Sequence, residues 1–236
     1  MTQAASERTH GPMPLYLNGA ELLADLSGAL AWPSRRLLAV ADLHLEKGSA
    51  FASRGRLLPP YDTAATLARL EAVIETHRPE TVVCLGDSFH DIRGAGRLGG
   101  ADAGRLVRMT KAVDWIWIAG NHDPAPPAAL GGNAMSEFCL GPLVFRHIAA
   151  SGPVAGEVSG HFHPKAGFNW RGRHVGGRCF IVDARRLILP AFGAYAGGLD
   201  VRDPAIAGLF GRAARIHILG RTRLHSFAAG QIAAVG

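Results

Sequence analysis

The sequence predicts an α/β protein in which helices pack on two sheets. Three observations carry that prediction. Short apolar runs alternate with helix-period segments through the first half of the chain. The second half, above all from Arg178 onward, is a series of short apolar runs. Such a mixture is solved by layering helices on sheets. Finally, polar motifs follow directly on several of the apolar runs, at the strand ends where α/β folds gather their sites.

Taken in order, residues 1–13 are polar and aperiodic and are expected to be disordered. Residues 14–236 read as a single domain, because no repeat, low-complexity tract or linker divides them. Leu15 to Trp32 reads as short strands turning at Asn18-Gly19 and Ser27-Gly28. Leu37 to Ala41 is an apolar run ending at Asp42, a buried strand feeding a loop. Pro59-Pro60 precedes a helix from about Asp62 to His77, with Leu67, Leu70 and Ile74 on one face and Pro79 after the stop. Thr81 to Leu85 is a second buried strand, closing at Gly86-Asp87. The glycine- and arginine-rich stretch from Arg93 to Gly104 predicts a mobile loop. A helix from about Ala103 to Val113 leads into the strand Trp115 to Ala119, which stops at Gly120-Asn121. Further strands are Leu143 to Ile148, Glu157 to Ser159, Cys179 to Asp183, Leu187 to Leu189 and Arg215 to Leu219.

Of the 236 residues, 48% are apolar, enough to bury a core without disulfide or metal staples. The formal charge of +6 favours polyanionic partners, nucleic acid first among them. Charge alone does not decide this, since many proteins are mildly basic for no reason of substrate. Cys84, Cys139 and Cys179 are odd in number and lack Cys-x-x-Cys spacing, which argues against a disulfide framework or thiolate metal site. Cys84 and Cys179 lie in apolar runs, so buried free thiols in a reducing compartment are expected. The N-terminus has no cationic head followed by an apolar run, and no apolar stretch reaches the ~20 residues that span a bilayer. The expectation is a cytoplasmic protein without a membrane partner.

Five motifs carry the chemistry: Asp42-Leu43-His44, then Gly86-Asp87-Ser88-Phe89-His90, then Gly120-Asn121-His122-Asp123, then His147, then Gly160-His161-Phe162-His163. Any one of them is weak evidence, and a lone His in an apolar run is more often a core residue than a ligand. The ordered set is informative. Two divalent ions need several O and N donors from separate parts of the chain, with open positions left for water and substrate. This mix of carboxylate, carboxamide and imidazole suits Mn, Fe or Zn, with Mn the leading choice, better than it suits Mg or Ca.

That ordered set resembles the signature blocks of the calcineurin-like metallophosphoesterases. The likeness is strong over roughly residues 36 to 164. The strings Ala-Asp-Leu-His-Leu-Glu-Lys-Gly, Leu-Pro-Pro-Tyr-Asp-Thr and Gly-Asp-Ser-Phe-His-Asp further resemble bacterial ligase-associated DNA damage response endonucleases. The resemblance implies a four-layer α/β/β/α sandwich with two facing mixed sheets. It implies that Asp42, His44, Asp87 and His163 hold one metal and that Asp87, Asn121, His147 and His161 hold the second, with Asp87 bridging. His122 is then no ligand but the group beside the scissile phosphate that donates a proton to the leaving oxygen or stabilises charge there. Protein phosphatases of the superfamily carry Asp at the position of His90, whereas its double-strand-break repair nucleases share Gly-Asp-x-Phe-His. His90 is therefore expected to contact and tune His122, against the alternative that it packs within its loop.

Basic residues near the motifs, chiefly Arg54, Arg93, Lys165 and Arg171, are candidates for holding flanking phosphates. Trp170 is the aromatic with polar and cationic neighbours, and so a candidate for base stacking. Asp123 either orients His122 or caps the next loop. Glu46 and Lys47 either touch substrate or form an exposed pair of little value.

The resulting expectation is a dinuclear metal-dependent phosphodiesterase or endonuclease acting on nucleic acid, DNA foremost, in a DNA damage response. An ATP-dependent DNA ligase and a helicase are partners by resemblance only. A phosphoesterase for nucleotides or other small phosphate esters is one alternative. A non-catalytic protein-binding scaffold is another, and the intact ligand set speaks against it.

Overall fold

The computed structural model describes residues 11–124, 128–170 and 173–230. Seven strands form the first sheet, side by side in chain order. They are β1 (Met13–Leu17), β2 (Ala20–Ala24), β3 (Leu30–Trp32), β4 (Leu37–Val40), β5 (Thr81–Leu85), β6 (Asp114–Ile118) and β7 (Asn133–Met135). The first four run antiparallel, and β4 to β7 are mutually parallel.

The second sheet is built from β8 (Glu137–Leu140), β9 (Leu143–Arg146), β10 (Glu157–Ser159), β11 (Lys165–Trp170), β12 (Arg173–Val182), β13 (Arg186–Ile188), β14 (Arg215–Leu219) and β15 (Leu224–Ala228). Its order is β15-β14-β12-β13-β10-β9-β8, with β11 paired to β12. Here β9, β10 and β13 are parallel and the remaining pairs antiparallel.

Side-chain alternation along the strands makes the layers. In β5, Val83 and Leu85 enter a core shared with Phe145, Val158, Phe180 and Leu187 of the second sheet. Val82 and Cys84 point the other way, into a second core with Leu67, Leu70 and Val73 of α2 (Asp62–His77) and Leu106 and Met109 of α4 (Gly100–Ala112). In β6, Ile116 and Ile118 face inward while Trp115 and Trp117 face the helices. A strand covered on both faces reads as a continuous apolar run, which is why these strands are visible in the sequence.

On the far side, Cys179, Ile181, Ile216 and Ile218 make a third core with Ile206 of α5 (Pro204–Ala207). The order is therefore helix, sheet, sheet, helix. Among the described residues the fourth layer is thin, a single helical turn and its flanking loop.

Several expectations are corrected. Strand β1 begins at Met13, inside the segment expected to be disordered, and residues 1–10 lie outside the described ones. The stretch from Arg93 to Gly104 is mostly helical, made of α3 (Gly94–Arg97) and the start of α4. Gly94 is needed there, since an added Cβ would lie 2.9 Å from Phe89 Cβ. Strand β9 ends at Arg146, so His147 stands in the loop beyond it. The short α1 (Lys47–Ala52), with no apolar period of its own, was not foreseen. No helix among the described residues is long and apolar enough to cross a membrane.

Candidate metal centre

Parallel strands bring their C-terminal ends to one edge. Strand β4 delivers Asp42 and His44, β5 delivers Asp87, and β6 delivers Asn121 and His122. From the second sheet, β9 delivers His147 and β10 delivers His161 and His163. The loops are tied across: His44 N–H donates to the Asp87 carbonyl (2.9 Å), and Phe192 N–H donates to the Ala41 carbonyl (2.7 Å).

Two triads result, Asp42 with His44 and His163, and Asp87 with His147 and His161. Within each, the ligand atoms all lie within 4.8 Å of one another. Five of these six residues, His147 being the exception, have left-handed backbone, with φ from 44° at His44 to 69° at His161. That conformation is costly for residues with a Cβ and gathers where function over-determines it.

Backbone donors aim the carboxylates. His161 N–H donates to Asp42 Oδ2 and His122 N–H to Asp87 Oδ1, each at 2.9 Å. Asp42 Oδ1 is then buried with no hydrogen-bond partner, 3.4 Å from His163 Nε2. Imidazole nitrogens face each other in both triads: His44 Nε2 and His163 Nε2 at 3.1 Å, His161 Nδ1 and His147 Nε2 at 3.2 Å. His147 Nδ1–H donates to the Leu85 carbonyl at 2.9 Å, which turns its Nε2 toward Asn121 Oδ1 at 2.8 Å and Asp87 Oδ1 at 3.5 Å.

Charge calls for a cation here. Both carboxylates are buried, and among the described residues their ion-pair partners are imidazoles, with no Lys or Arg. Burial pushes the Asp87 carboxyl up, but hydrogen bonds from His147 and the His122 backbone outweigh it and hold it at about 2. Burial opposes charge on His147, yet Asp87 and Asp42 draw a proton onto it and raise its pKa. Burial and the His163 charge hold His44 down at about 3, so its lone pair is free. Converging oxygen and nitrogen acceptors, one of them an orphaned carboxylate oxygen, fit divalent ions of the Mn, Fe or Zn kind. Two candidate metal-binding triads are therefore present.

His122 stands outside both triads. Its side chain is 42% exposed, its Nε2 is 3.9 Å from Asp87 Oδ2, and its ring meets His44 edge-on at 5.5 Å. Its Nδ1–H donates to the His90 backbone carbonyl at 2.8 Å, and the two rings stack at 5.7 Å. The link to His90 thus runs through a main-chain carbonyl as well as the ring. Burial, then the charges of Lys47 and His122, lower the His90 pKa.

Among the described residues Asp123 makes no hydrogen bond to the His122 ring, and the loop it was expected to cap lies in part outside them. Its Oδ2 accepts from Phe89 N–H at 3.0 Å and steadies the loop that carries Asp87. Burial lifts its carboxyl to about 7, with the Asp87 charge adding to the lift. Glu46 and Lys47 do not pair with each other. Glu46 Oε1 accepts from Thr63 Oγ1 at 3.0 Å, and Lys47 Nζ donates to the Tyr195 carbonyl at 2.8 Å.

The cationic candidates divide. Arg54 and Arg93 line one cavity of about 510 Å³ with Arg97, and the Arg54 charge reaches His90. Arg97 is spent on Asp91 at 2.9 Å. Lys165 follows His163 by two positions, half-buried at the start of β11. Arg171 and the side chain of Trp170 lie outside the described residues. Sequence reasoning passed over Tyr195; the signal was the glycine-rich loop Gly193-Ala194-Tyr195-Ala196-Gly197-Gly198, which follows an apolar run as the motif loops do.

Residues 35–173, which contain all five motifs and both triads, match the family model for calcineurin-like phosphoesterases. The chain belongs to this family. Among solved structures, a nuclease, MPE, from Pseudomonas putida superposes with a TM-score of 0.71 at 27% identity, over 92% of this chain and 100% of that one. The phosphoesterase Yfce from E. coli is more distant, at a TM-score of 0.43 and 15% identity over 81% of this chain and 98% of that one. No curated protein matches the sequence. Family membership makes the chain a phosphoesterase, and the two triads are where family chemistry would be done.

Proposed function

We propose that this phosphoesterase is a dinuclear metal-dependent phosphodiesterase that cleaves nucleic acid, DNA foremost. The observation that carries the reading is the pair of adjoining triads with His122 held beside them by His90. Asp42, His44, Asp87 and His163 would hold one ion, and Asp87, Asn121, His147 and His161 the other. When bound, two divalent ions neutralise phosphate charge and activate water for in-line attack.

The protein supplies the remaining steps. The His90 carbonyl fixes His122 Nδ1 as a donor, so Nε2 is the atom that gives a proton to the leaving oxygen. That nitrogen lies 3.9 Å from Asp87 Oδ2. Arg54, Arg93, Lys165 and, by its sequence position alone, Arg171 would meet flanking phosphates. The +6 charge and the structural likeness to a nuclease support a polynucleotide substrate. Manganese as the native ion, a role in DNA damage response, a cytoplasmic setting and a ligase or helicase partner belong to the same reading.

The test is hydrolysis of a chromogenic phosphodiester and the matching monoester by Mn-loaded protein, with His122→Ala as the blank. Turnover of the diester that needs both metal and His122 supports the reading. Turnover of the monoester alone would replace it with a small-molecule phosphatase.

A further inference from the structure

We propose that Lys47, Lys165 and Tyr195 form a subsite for the nucleotide next to the scissile phosphate, the lysines gripping its phosphate and the tyrosine ring stacking on its base. The inference rests on the nucleic-acid reading above and deepens it, because such a subsite has no use for a small phosphate ester.

The first observation is backbone conformation. Ten non-glycine residues among the described ones have φ in the left-handed region. Five of them carry the triads. Asn18 turns the β1–β2 hairpin, Arg36 and Arg78 close helical segments, and Glu46 precedes α1. Tyr195, at φ 59°, is left with no helix end and no hairpin to explain it. An aromatic residue is disfavoured there, and such strain persists mainly where function holds it.

The second is position. The loop carrying Tyr195 is fastened at both ends to segments that carry triad residues. Gly193 N–H donates to the Asp42 carbonyl at 3.1 Å, and Leu199 N–H donates to the Phe162 carbonyl at 3.2 Å. Gly198 packs on His163 so closely that an added Cβ would lie 3.2 Å from its Cβ. The loop is thus held beside the Asp42–His44–His163 triad, and Tyr195 within it remains 45% exposed.

The third is charge. Lys47 Nζ holds the Tyr195 carbonyl at 2.8 Å, and Lys165 lies along the same loop, its Cε 3.1 Å from where a Cβ on Gly198 would be. Neither ammonium has a carboxylate within ion-pair distance among the described residues. Burial and the Lys165 charge lower the Lys47 pKa against the pull of Asp62. Two like charges kept together without a counterion call for an anion. Unpaired cations beside an exposed aromatic ring are the composition of single-strand nucleic-acid grooves.

The test is fluorescence anisotropy with a labelled single strand of about ten nucleotides and a phosphorothioate backbone to slow cleavage. The full chain carries its metals, and salt is varied. Lys47→Met keeps an unbranched side chain and removes the charge, whose Nζ lies 5.9 Å from the Phe51 ring centroid. It is expected to weaken binding at least about fivefold and to lower the salt slope by about 0.7, one phosphate contact on a single strand. Tyr195→Leu is expected to weaken binding about tenfold while Tyr195→Phe restores it, because stacking needs the ring and not the hydroxyl. If the wild type binds the strand and these variants bind it with the same affinity and salt slope, the subsite is wrong and the nucleic-acid reading stands. A wild type that fails to bind the strand overturns both.

Discussion

At Gly86 the centre leaves no room for even a methyl group. A Cβ there would lie 2.4 Å from His147 Nδ1, and φ is already 74°. We predict that Gly86→Ala costs about 2–4 kcal/mol of stability, from strain and overpacking together. It should also displace His147, so chemical denaturation and metal analysis should fall together. Asp87 offers a sharper case. It belongs to one triad, and its charge also bears on His44 of the other. Asp87→Asn should weaken both ions, each by about tenfold or more, as followed by metal titration; loss of one ion alone would contradict a bridging role. These residues were legible because short local strings mark them. Tyr195 was not, and neither was its tie to Lys47, because what joins them is a hydrogen bond across 148 positions that no local pattern reports. The tie from Asp123 to the Phe89 amide was not legible for a related reason: the two belong to different motifs.

The elements differ in how far pattern betrayed them. Strands β4, β5 and β6 are apolar on both faces and stand out, and α2 stands out by the spacing of Leu67 and Leu70 and by Pro79 beyond its end. Strands β7, β8, β11 and β15 did not, because they are short, partly exposed or lie near an edge, so neither continuous apolarity nor clean alternation marks them. The glycines between Arg93 and Gly104 read as a loop on propensity, yet packing of Leu106 and Met109 on the sheet draws α4 back to Gly100. Strand β14 carries a testable feature. His217 is buried there with neither ring nitrogen hydrogen-bonded among the described residues, and burial, with the Arg215 charge, lowers its pKa to about 4. A base whose folded pKa lies below its unfolded value takes up more protons unfolded, so its cost grows as pH falls from about 6.5 toward 4. His217→Leu should therefore be more stable than wild type by about 2 kcal/mol at pH 4.5 relative to their difference at pH 7, as read from urea melts at the two pH values.

At the scale of the whole molecule, two mixed sheets meet so that the C-terminal ends of parallel strands from both converge on one edge. The first sheet supplies the carboxylates and the Asn121 amide, while the second supplies His147, His161 and His163. That division was legible only through the resemblance of the ordered motifs to a known family, since periodicity alone predicts two sheets without saying how they face. The thin outer layer over the second sheet was not legible at all, because α5 is a single turn marked only by Asp203 and Pro204 at its start. The central claim is that this convergence holds two divalent ions. The most direct test loads the full chain with Mn²⁺, removes free ion and counts metal per chain by mass spectrometry, for wild type and His122→Ala. Two ions in both proteins is the predicted result. A single ion in the wild type, or loss of metal in His122→Ala, would contradict the account.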